Sequence, residues 1–325
     1  MKSTTLFPWL IKAVAAIALI ILWTQMPTIM TGAVSLGLLW AIMVLGVFIT
    51  YRVLDIADLT VEGTIVLGAS IAARMITAGY SPLFATFMAF VLGLVAGLIT
   101  GILHTKLRIP ALLSGILTLT ALYSINLRVM GRPNTPLLPF KVPSVFTPFE
   151  AFNLPNSVPS LIVGVGICAV LVVFLYWFFG TELGSAIRAT GSNPNMVRAQ
   201  GINTSAMIIL GLMLSNGLVG LAGALIAQHQ TFADITMGMG SIVIGLASLI
   251  IGEVLFGTKS FKNTLISVIF GAVTYRVIIA IVIKLGLAAN DLKLFVSATV
   301  TIALTLPMAQ ANIRTLVKSM KKPQL

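Results

Sequence analysis

The feature that most constrains this chain is a succession of ten apolar runs, each long enough to cross a lipid bilayer. A transmembrane helix needs about 17–25 predominantly apolar residues. Runs of that length fall at residues 9–26, 32–49, 62–78, 83–104, 111–127, 159–179, 205–228, 239–257, 264–285 and 292–309. The sequence therefore predicts an all-α, polytopic membrane protein of about ten transmembrane helices, organised as a single transmembrane domain over residues 1–325.

Composition agrees with that prediction and excludes other classes of protein. Hydrophobic residues make up 58% of the chain and charged residues only 9%, too few to cover a water-facing surface. A net charge of +12 would point to nucleic acid in a soluble protein. In a membrane protein the same charges mark the cytoplasmic face, where they meet anionic lipid. We therefore expect membrane lipid, and not nucleic acid, as the partner of these charges.

The distribution of Lys and Arg predicts the orientation of the spans. If the N-terminus is cytoplasmic, thirteen of the twenty Lys and Arg residues fall in cytoplasmic segments and five fall outside. Positive charge is enriched in cytoplasmic loops. The sequence thus predicts a multi-pass protein of the cell (inner or plasma) membrane with both termini in the cytoplasm.

The longest outside connection, residues 130–158, together with Pro159 at its end, holds half of the fourteen prolines. Proline fixes φ and removes a backbone donor. These residues are predicted to form either an ordered, extended cap or an ordinary surface loop.

Two segments resemble each other and predict an inverted repeat. Residues 58–68 align with residues 234–245, with identities at Asp58/Asp234, Thr60/Thr236, Gly63/Gly240, Ile65/Ile242, Val66/Val243 and Gly68/Gly245. By the predicted topology the first copy enters its span from the cytoplasm and the second from outside. Inverted repeats often form a transport pathway at their interface. This assigns Asp58, Thr60, Glu62, Asp234 and Thr236 to a translocation pathway, with chance similarity as the alternative.

The acidic residues Asp55, Asp58 and Glu62 come where an apolar run should begin. Carboxylates at i and i+4 could relay protons or bind a cation. The favoured interpretation is helix capping, with Asp58 and Thr60 at the helix start and Glu62 in the first turn.

Arg276 is the costly residue within a predicted span, because an ionisable group there should face the interior of a helix bundle or water. A contact with a substrate carboxylate would place Arg276 in the pathway. A structural ion pair with Asp291 or Glu253 is the alternative.

No residue pattern supports enzyme chemistry in this chain. His104 and His229 have no second His or Cys at metal-ligand spacing, and the single cysteine, Cys168, lies in an apolar run. Residues 252–260 only approach a phosphate-binding loop, because Thr258 separates the second glycine from the lysine. We therefore expect neither a catalytic site nor a metal or cofactor.

The hydrophilic stretch 181–204 is predicted to form two short helices. The first should end at Gly191, a residue suited to a left-handed terminator. Asn193 can then cap a second helix that has Pro194 in its first position and ends at Gly201. We call residues 181–204 the elbow. It suits docking of a cytoplasmic partner, with an amphipathic loop on lipid headgroups as the alternative.

The elbow resembles that of permease subunits of ATP-binding-cassette importers of the branched-chain amino acid and ribose type. The spacing Gly-x3-Arg-Ala-x3-Asn-Pro-x3-Arg-x2-Gly-Ile-Asn is met throughout, by Gly184, Arg188, Ala189, Asn193, Pro194, Arg198, Gly201, Ile202 and Asn203. Val197 departs from the alanine usual in the family. A helix rich in small residues follows at 215–224. The resemblance covers about residues 40–310.

The resemblance implies a pathway-forming subunit of an importer. It places ATPase coupling on Gly184, Arg188, Ala189, Asn193, Pro194, Arg198 and Gly201. It implies two cytoplasmic ATPase subunits that bind ATP and Mg, a second permease copy or a paralogue, and an extracytoplasmic substrate-binding protein. Residues 58–63 look like a subgroup linked to amino acids, including aromatic or branched-chain ones. A permease of the sugar or nucleoside branch and a stand-alone ion-coupled secondary transporter are the alternatives.

Overall fold

A computed structural model describes residues 27–137, 143–150 and 157–286, and five single residues beyond them. The predicted spans 9–26 and 292–309 therefore lie outside the described residues, apart from those single positions. The helices are α1 (Pro27–Phe48), continued by a π-helical turn (Ile49–Val53), α2 (Thr60–Thr77), α3 (Pro82–Thr105), α4 (Ala111–Met130), α5 (Thr147–Glu150), α6 (Val158–Gly180), α7 (Glu182–Ser192), α8 (Pro194–Ala199), α9 (Thr204–Gln230), α10 (Ser241–Phe256) and α11 (Phe261–Lys284). The strands β1 (Asn134–Pro136) and β2 (Phe232–Asp234) form one antiparallel pair.

The all-α, polytopic prediction is confirmed, although the count of ten spans is not. In the described part of the chain, six helices are long and apolar enough to cross a membrane: α1 with its π-helical turn, α3, α4, α6, α9 and α11. Two predicted spans correspond to shorter or more polar helices. α2 has 18 residues and carries both Glu62 and Arg74, whereas α10 has only 16 residues.

Small residues bring the helices around α9 into close contact. Gly68 of α2 lies against the backbone of Gly220 in α9, and Gly93 of α3 lies against Asn216. Small residues at such positions let helix backbones approach closely, which favours van der Waals packing in lipid. Because α1, α2 and α3 all pack on α9, this helix lies at the centre of the bundle.

The described basic residues are unevenly divided between the two ends of the bundle. We call the end of the bundle that carries α7 and α8 the elbow end. The last residues of α1, α3 and α6 and the first residues of α11 also lie at this end. Seven described Lys and Arg residues lie at this end, namely Arg52, Lys106, Arg108, Arg188, Arg198, Lys259 and Lys262. Arg74, Arg128, Arg132 and Lys284 lie towards the opposite end, and Arg276 lies within α11.

The described parts of the proline-rich connection are anchored to the opposite end of the bundle. The Leu137 N–H donates to the carbonyl oxygen of Thr231 (2.7 Å), and the Val145 N–H donates to Oε1 of Gln228 (3.0 Å). Phe146 is buried and packs edge-on against His229. These contacts favour the ordered cap over the surface loop for the described parts, while residues 138–142 and 151–156 lie outside the described residues.

Candidate functional site

The elbow consists of the two predicted short helices, α7 and α8. Asn193 begins α8, because its Oδ1 accepts the Met196 N–H (3.1 Å) and Pro194 takes the first helical position. Gly201 has a φ of +82°, the left-handed conformation expected at a helix end. These local predictions are confirmed.

The predicted end of α7 at Gly191 is wrong. The helix continues to Ser192, and Gly191 does not have the positive φ of a terminator. Glycine is needed at position 191 for close packing instead, because a Cβ there would overlap the carbonyl oxygen of Val53. Gly191 therefore lets α7 rest directly on the π-helical turn that ends α1.

One face of the elbow is buried and the other is exposed. Ile187 and Val197 are fully buried against the bundle, whereas the side chains of Leu183 (53%) and Met196 (49%) remain exposed to solvent. The guanidinium of Arg188 lies 4.9 Å from the centre of the Phe261 ring. The elbow is therefore a firmly seated element that presents apolar groups outward.

The remaining residues predicted to act in coupling are placed on the same element. Arg198 is exposed and its Nη2 donates to Oγ1 of Thr204 (3.2 Å), while Ala189 is half-buried and Gly184 is buried in α7. Their role in ATPase coupling stays a prediction.

Arg52 and Glu253 form an ion pair beside the elbow that sequence reasoning missed. Nε and Nη2 of Arg52 donate to the two carboxylate oxygens of Glu253 at 2.8 and 2.7 Å. The pair joins the end of α1 to α10. A signal existed in the sequence, since Glu253 is an isolated acid near the end of an apolar run and needs a partner there.

Arg276 is not paired with Glu253, so that predicted alternative is wrong. Its guanidinium lies 4.1 Å from the centre of the Trp40 ring, in a cation–π contact between α11 and α1. Among the described residues no acidic group forms an ion pair with it, and its Nε has no hydrogen-bond partner. A role for Arg276 in the pathway stays a prediction.

Asp58 is a buried structural acceptor at the start of α2. Its side chain is 2% exposed. Its Oδ1 accepts the Thr60 N–H (2.9 Å), as the capping interpretation predicted, and its Oδ2 accepts Nδ2 of Asn216 (2.7 Å). Asn216 lies near the middle of α9, so α2 begins at mid-height in the bundle. Asp55, by contrast, is exposed at a left-handed φ of +55°.

Thr60 and its neighbours add a hydroxyl chain beside Asp58. Oγ1 of Thr60 lies 2.8 Å from Oγ1 of Thr100, which in turn donates to Thr118 (2.9 Å). Thr64 donates to Oδ1 of Asn216 (2.8 Å). These hydroxyl groups satisfy one another inside the bundle and do not meet the second copy of the repeat.

The helices α2 and α10, which begin within the two copies of the repeat, run in opposite directions and meet at their N-termini. We call α2 and α10 the short helices. α2 runs parallel to α9, because Thr64 and Gly68 lie beside Asn216 and Gly220, whereas α1 runs antiparallel to α9. α10 follows α1, from Val47 beside Gly245 to Arg52 beside Glu253. At the junction, Oε1 of Glu62 accepts the Gly240 N–H (3.0 Å).

Asp234 repeats the turn of Asp58 in a less buried setting. Its Oδ1 accepts the Thr236 N–H (2.7 Å), and its Oδ2 accepts Nδ2 of Asn134 across the strand pair (3.1 Å). Partial burial would raise the pKa of Asp234, but the hydrogen bonds from Thr236 and Asn134 outweigh it and hold the pKa below its usual value. Neither Asp234 nor Thr236 meets Asp58.

A cavity of about 380 Å³ lies at the junction of α2, α4 and the loop that leads into α10. Of the residues predicted for the pathway, Glu62 lines it, together with Tyr123, Ser124 and Asn126 of α4 and Met239 of the loop. Sequence reasoning missed the α4 residues, since a polar side chain in an amphipathic helix gives no sign of the face it occupies. The arrangement offers a carboxylate, an amide and the hydroxyl groups of Thr120, Tyr123 and Ser124 in a largely apolar recess.

Comparison with known proteins covers both the elbow and the junction. Residues 29–305 match the protein family described as "Branched-chain amino acid transport system / permease component". The chain is 42% identical to the tyrosine transport system permease protein of Clostridioides difficile (strain R20291), over 84% of this chain and 90% of the relative. An uncharacterised protein of Rickettsia prowazekii (strain Madrid E) is 34% identical over 85% of this chain and 97% of its own length.

A more distant relative is also a permease. The autoinducer 2 import system permease protein of Yersinia pseudotuberculosis (strain YPIII) is 28% identical over 72% of this chain and 65% of its own length. No solved structure matches the chain.

Proposed function

Because the chain belongs to the permease-component family of branched-chain amino acid transport systems, we propose that it forms the translocation pathway of an ATP-driven importer of an amino acid. The chain is a multi-pass membrane protein, and its relatives of named function are transport permeases and not enzymes. The observation that carries the choice of cargo is the 42% identity with a tyrosine transport permease. We infer that the cargo is an aromatic or branched-chain amino acid.

The elbow is the proposed docking site for the ATPase. Leu183, Met196 and Pro194 supply exposed apolar contact area, and the exposed Arg188, Asn193 and Arg198 supply polar contacts around it. Since Gly191 seats α7 on the end of α1, a displacement of the elbow would pass directly to α1 and, through Arg52 and Glu253, to α10. That route is supported by the contacts between these elements.

The proposed assembly contains two permease chains, either identical or paralogous, two cytoplasmic ATPase subunits that bind ATP and Mg, and an extracytoplasmic substrate-binding protein. The excess of Lys and Arg at the elbow end supports a cytoplasmic position for that end. Both termini are then proposed to lie in the cytoplasm.

Uptake by the reconstituted importer tests the cargo and the energy source together. We expect proteoliposomes that contain the permease, its ATPase and its binding protein to accumulate labelled tyrosine or leucine only when ATP and Mg are supplied. Uptake by the permease alone, driven by a sodium or proton gradient, would instead identify a secondary transporter. Uptake of ribose or a nucleoside in place of amino acids would assign the chain to the sugar branch of the family.

Charge substitutions on the exposed face of the elbow test the docking site. Leu183→Glu combined with Met196→Glu changes only exposed side chains, so we expect the permease to fold but to lose co-purification with its ATPase. Leu107→Glu is the matched control, because Leu107 is equally exposed (62%) and lies at the same end but outside the elbow. Equal ATPase binding by the double variant and the control would contradict docking at the elbow.

A further inference from the structure

The cavity at the junction of the two short helices carries a more specific inference. Its volume of about 380 Å³ falls within the range of small-molecule sites. It lies at mid-height in the bundle, because Glu62 is half a turn of helix from Thr64, which bonds to Asn216 in the middle of α9. Binding sites of transporters are found at this level, where short helices of inverted repeats meet.

The cavity contains an acceptor whose hydrogen bonding is incomplete. Asn126 is 1% exposed, and its Nδ2 donates to the carbonyl oxygen of Gly63 (3.1 Å). That bond orients the amide so that Oδ1 is the free acceptor, and Oδ1 has no partner among the described residues. A buried acceptor without a donor is unfavourable, so a ligand that donates a hydrogen bond would gain by binding here.

Glu62 supplies the charge. The Gly240 N–H, at the N-terminus of α10, donates to Oε1 of Glu62, and an anion is favoured at such a helix end. A carboxylate has about four acceptor positions, and the Gly240 N–H uses only one of them. Glu62 therefore remains able to accept further hydrogen bonds from the cavity.

The charge of the lining decides which end of an amino acid fits. Among the described residues that line the cavity, Glu62 is the single charged side chain. A substrate carboxylate would be repelled by it and would find the α10 N-terminus already occupied by Glu62. A primary ammonium group carries three donors and a positive charge, which match Glu62 and Oδ1 of Asn126.

The remaining walls suit the rest of such a molecule. Val66, Leu119 and Ile235 are apolar, and Tyr123 and Met239 form the more exposed part of the lining. We propose that this cavity binds the ammonium group of an amino acid during transport, with Glu62 and Asn126 as its acceptors. The inference rests on the proposed import of amino acids and adds the part of the substrate that the permease itself recognises.

The first test measures whether the cavity attracts cations. A single cysteine, Met239→Cys, is introduced into the full-length Cys168→Ala permease in nanodiscs. Its rate of reaction with the cationic methanethiosulfonate ethylammonium is divided by its rate with the neutral methyl methanethiosulfonate. We expect Glu62→Gln to lower this ratio several-fold. Val243→Cys is the matched control. Val243 lies in the first turn of α10, four residues after Met239 and outside the cavity lining, so Glu62→Gln should leave its ratio nearly unchanged.

The second test identifies the group that binds. L-tyrosine and tyramine both carry the ammonium group, whereas 3-(4-hydroxyphenyl)propionate has only the carboxylate. We expect the first two, at millimolar concentration, to slow modification of Met239→Cys and the third to have no effect, and we expect Glu62→Gln to abolish the protection. Equal protection by all three compounds, protection by the carboxylate alone, or no protection at all would overturn the inference.

Two further measurements keep the outcome distinct from the proposed function. Gel filtration of Glu62→Gln shows whether the variant folds, and Asn126→Leu provides an independent change, since it removes the amide acceptor and leaves the charge. If the assembled importer takes up no amino acid, the proposed function fails whatever the labelling shows. If tyrosine uptake occurs but Glu62→Gln leaves the ratio of labelling rates unchanged, only the proposed ammonium site is wrong.

Discussion

The two copies of the Asp-x-Thr turn have the same local geometry and different surroundings. In both, the aspartate accepts the N–H of the threonine two residues later, at 2.9 Å for Asp58 and 2.7 Å for Asp234. Asp58 is buried and also bonded to the central helix through Asn216, whereas Asp234 is only half-buried and bonded to a strand through Asn134. The comparison teaches that the motif specifies a turn, while packing decides how much stability depends on it.

The difference extends to the helices that follow. α2 starts at Thr60, two residues after Asp58, but α10 starts at Ser241, seven residues after Asp234. The intervening residues form the loop that brings Gly240 to Glu62. The first copy is thus fixed into the bundle, and the second keeps a loop that borders the cavity.

The largest expected effect concerns the equivalent glycines Gly68 and Gly245. A Cβ at Gly68 would overlap the backbone of Gly220, which cannot move without shifting α9. We therefore expect Gly68→Ala to lower the free energy of unfolding by about 3 kcal/mol or more, at the upper end for overpacking. A Cβ at Gly245 would lie 3.1 Å from Cγ2 of Val47 and 3.3 Å from the flexible end of Met43. There the gain in helix propensity, about 1 kcal/mol, should offset the crowding.

Thermal unfolding of the two detergent-solubilised variants checks this order. Gly68→Ala should show the lower melting temperature or a much reduced yield of monodisperse protein. Similar melting temperatures for Gly68→Ala and Gly245→Ala would mean that the first copy is not packed more tightly than the second.

The next effect concerns the two aspartates. Asp58→Ala removes the acceptor of the buried Thr60 N–H and one of the two acceptors of Asn216 Nδ2, which keeps the Leu212 carbonyl oxygen. We expect the free energy of unfolding to fall by about 2–4 kcal/mol. Asp234→Ala exposes its former partners to solvent and should cost about 1 kcal/mol or less. Melting temperatures measure both losses.

Asp58→Asn separates hydrogen bonding from charge at the buried copy. It keeps an acceptor oxygen for the Thr60 N–H and loses only the second acceptor, so its melting temperature should fall between those of the wild type and Asp58→Ala. An Asp234→Ala variant less stable than Asp58→Ala would reverse the comparison.

The sequence predicted those parts of the molecule that depend on local patterning. Long apolar runs predicted α3, α4, α6, α9 and α11, and the capping residues Asn193 and Pro194 predicted the start of α8. The alignment of Asp58 with Asp234 predicted the inverted relation of the short helices. In each case the signal and the structure it specifies lie within a few residues of each other.

The sequence could not predict contacts that depend on which helix faces meet. Gly191 looked like a terminator because its contact with Val53 is 138 residues away in sequence. Glu253 pairs with Arg52 and not with Arg276, which rests on Trp40. Asn126 and Tyr123 became cavity residues only once α4 was placed beside α2 and the α10 loop. A pattern of residue types carries no information about the relative rotation of distant helices.

A smaller effect is expected from the ion pair that secures α10. The Arg52 side chain is 54% exposed and that of Glu253 only 11%, so the pair lies between an exposed pair, which contributes about 0.2–1 kcal/mol, and a buried one. We therefore expect Arg52→Gln to lower the melting temperature less than Asp58→Ala. High salt should reduce the difference between Arg52→Gln and wild type. A loss as large as that of Asp58→Ala would show that the second copy is held as firmly as the first.

The smallest expected effect is the response of Asp234 to acid. Because the folded protein holds the pKa of Asp234 below its usual value of about 3.9, ionised Asp234 stabilises the fold above that pH. The contribution is lost as the pH falls through the lowered pKa, since the protonated carboxyl is a weaker acceptor for Thr236 and Asn134. The difference in melting temperature between wild type and Asp234→Asn should therefore be constant from pH 7 to about pH 5 and shrink below about pH 4. A difference in melting temperature that grows on acidification would mean that protonated Asp234 stabilises the turn of the second copy better than ionised Asp234 does. The two turns would then share their shape but not an electrostatic cause.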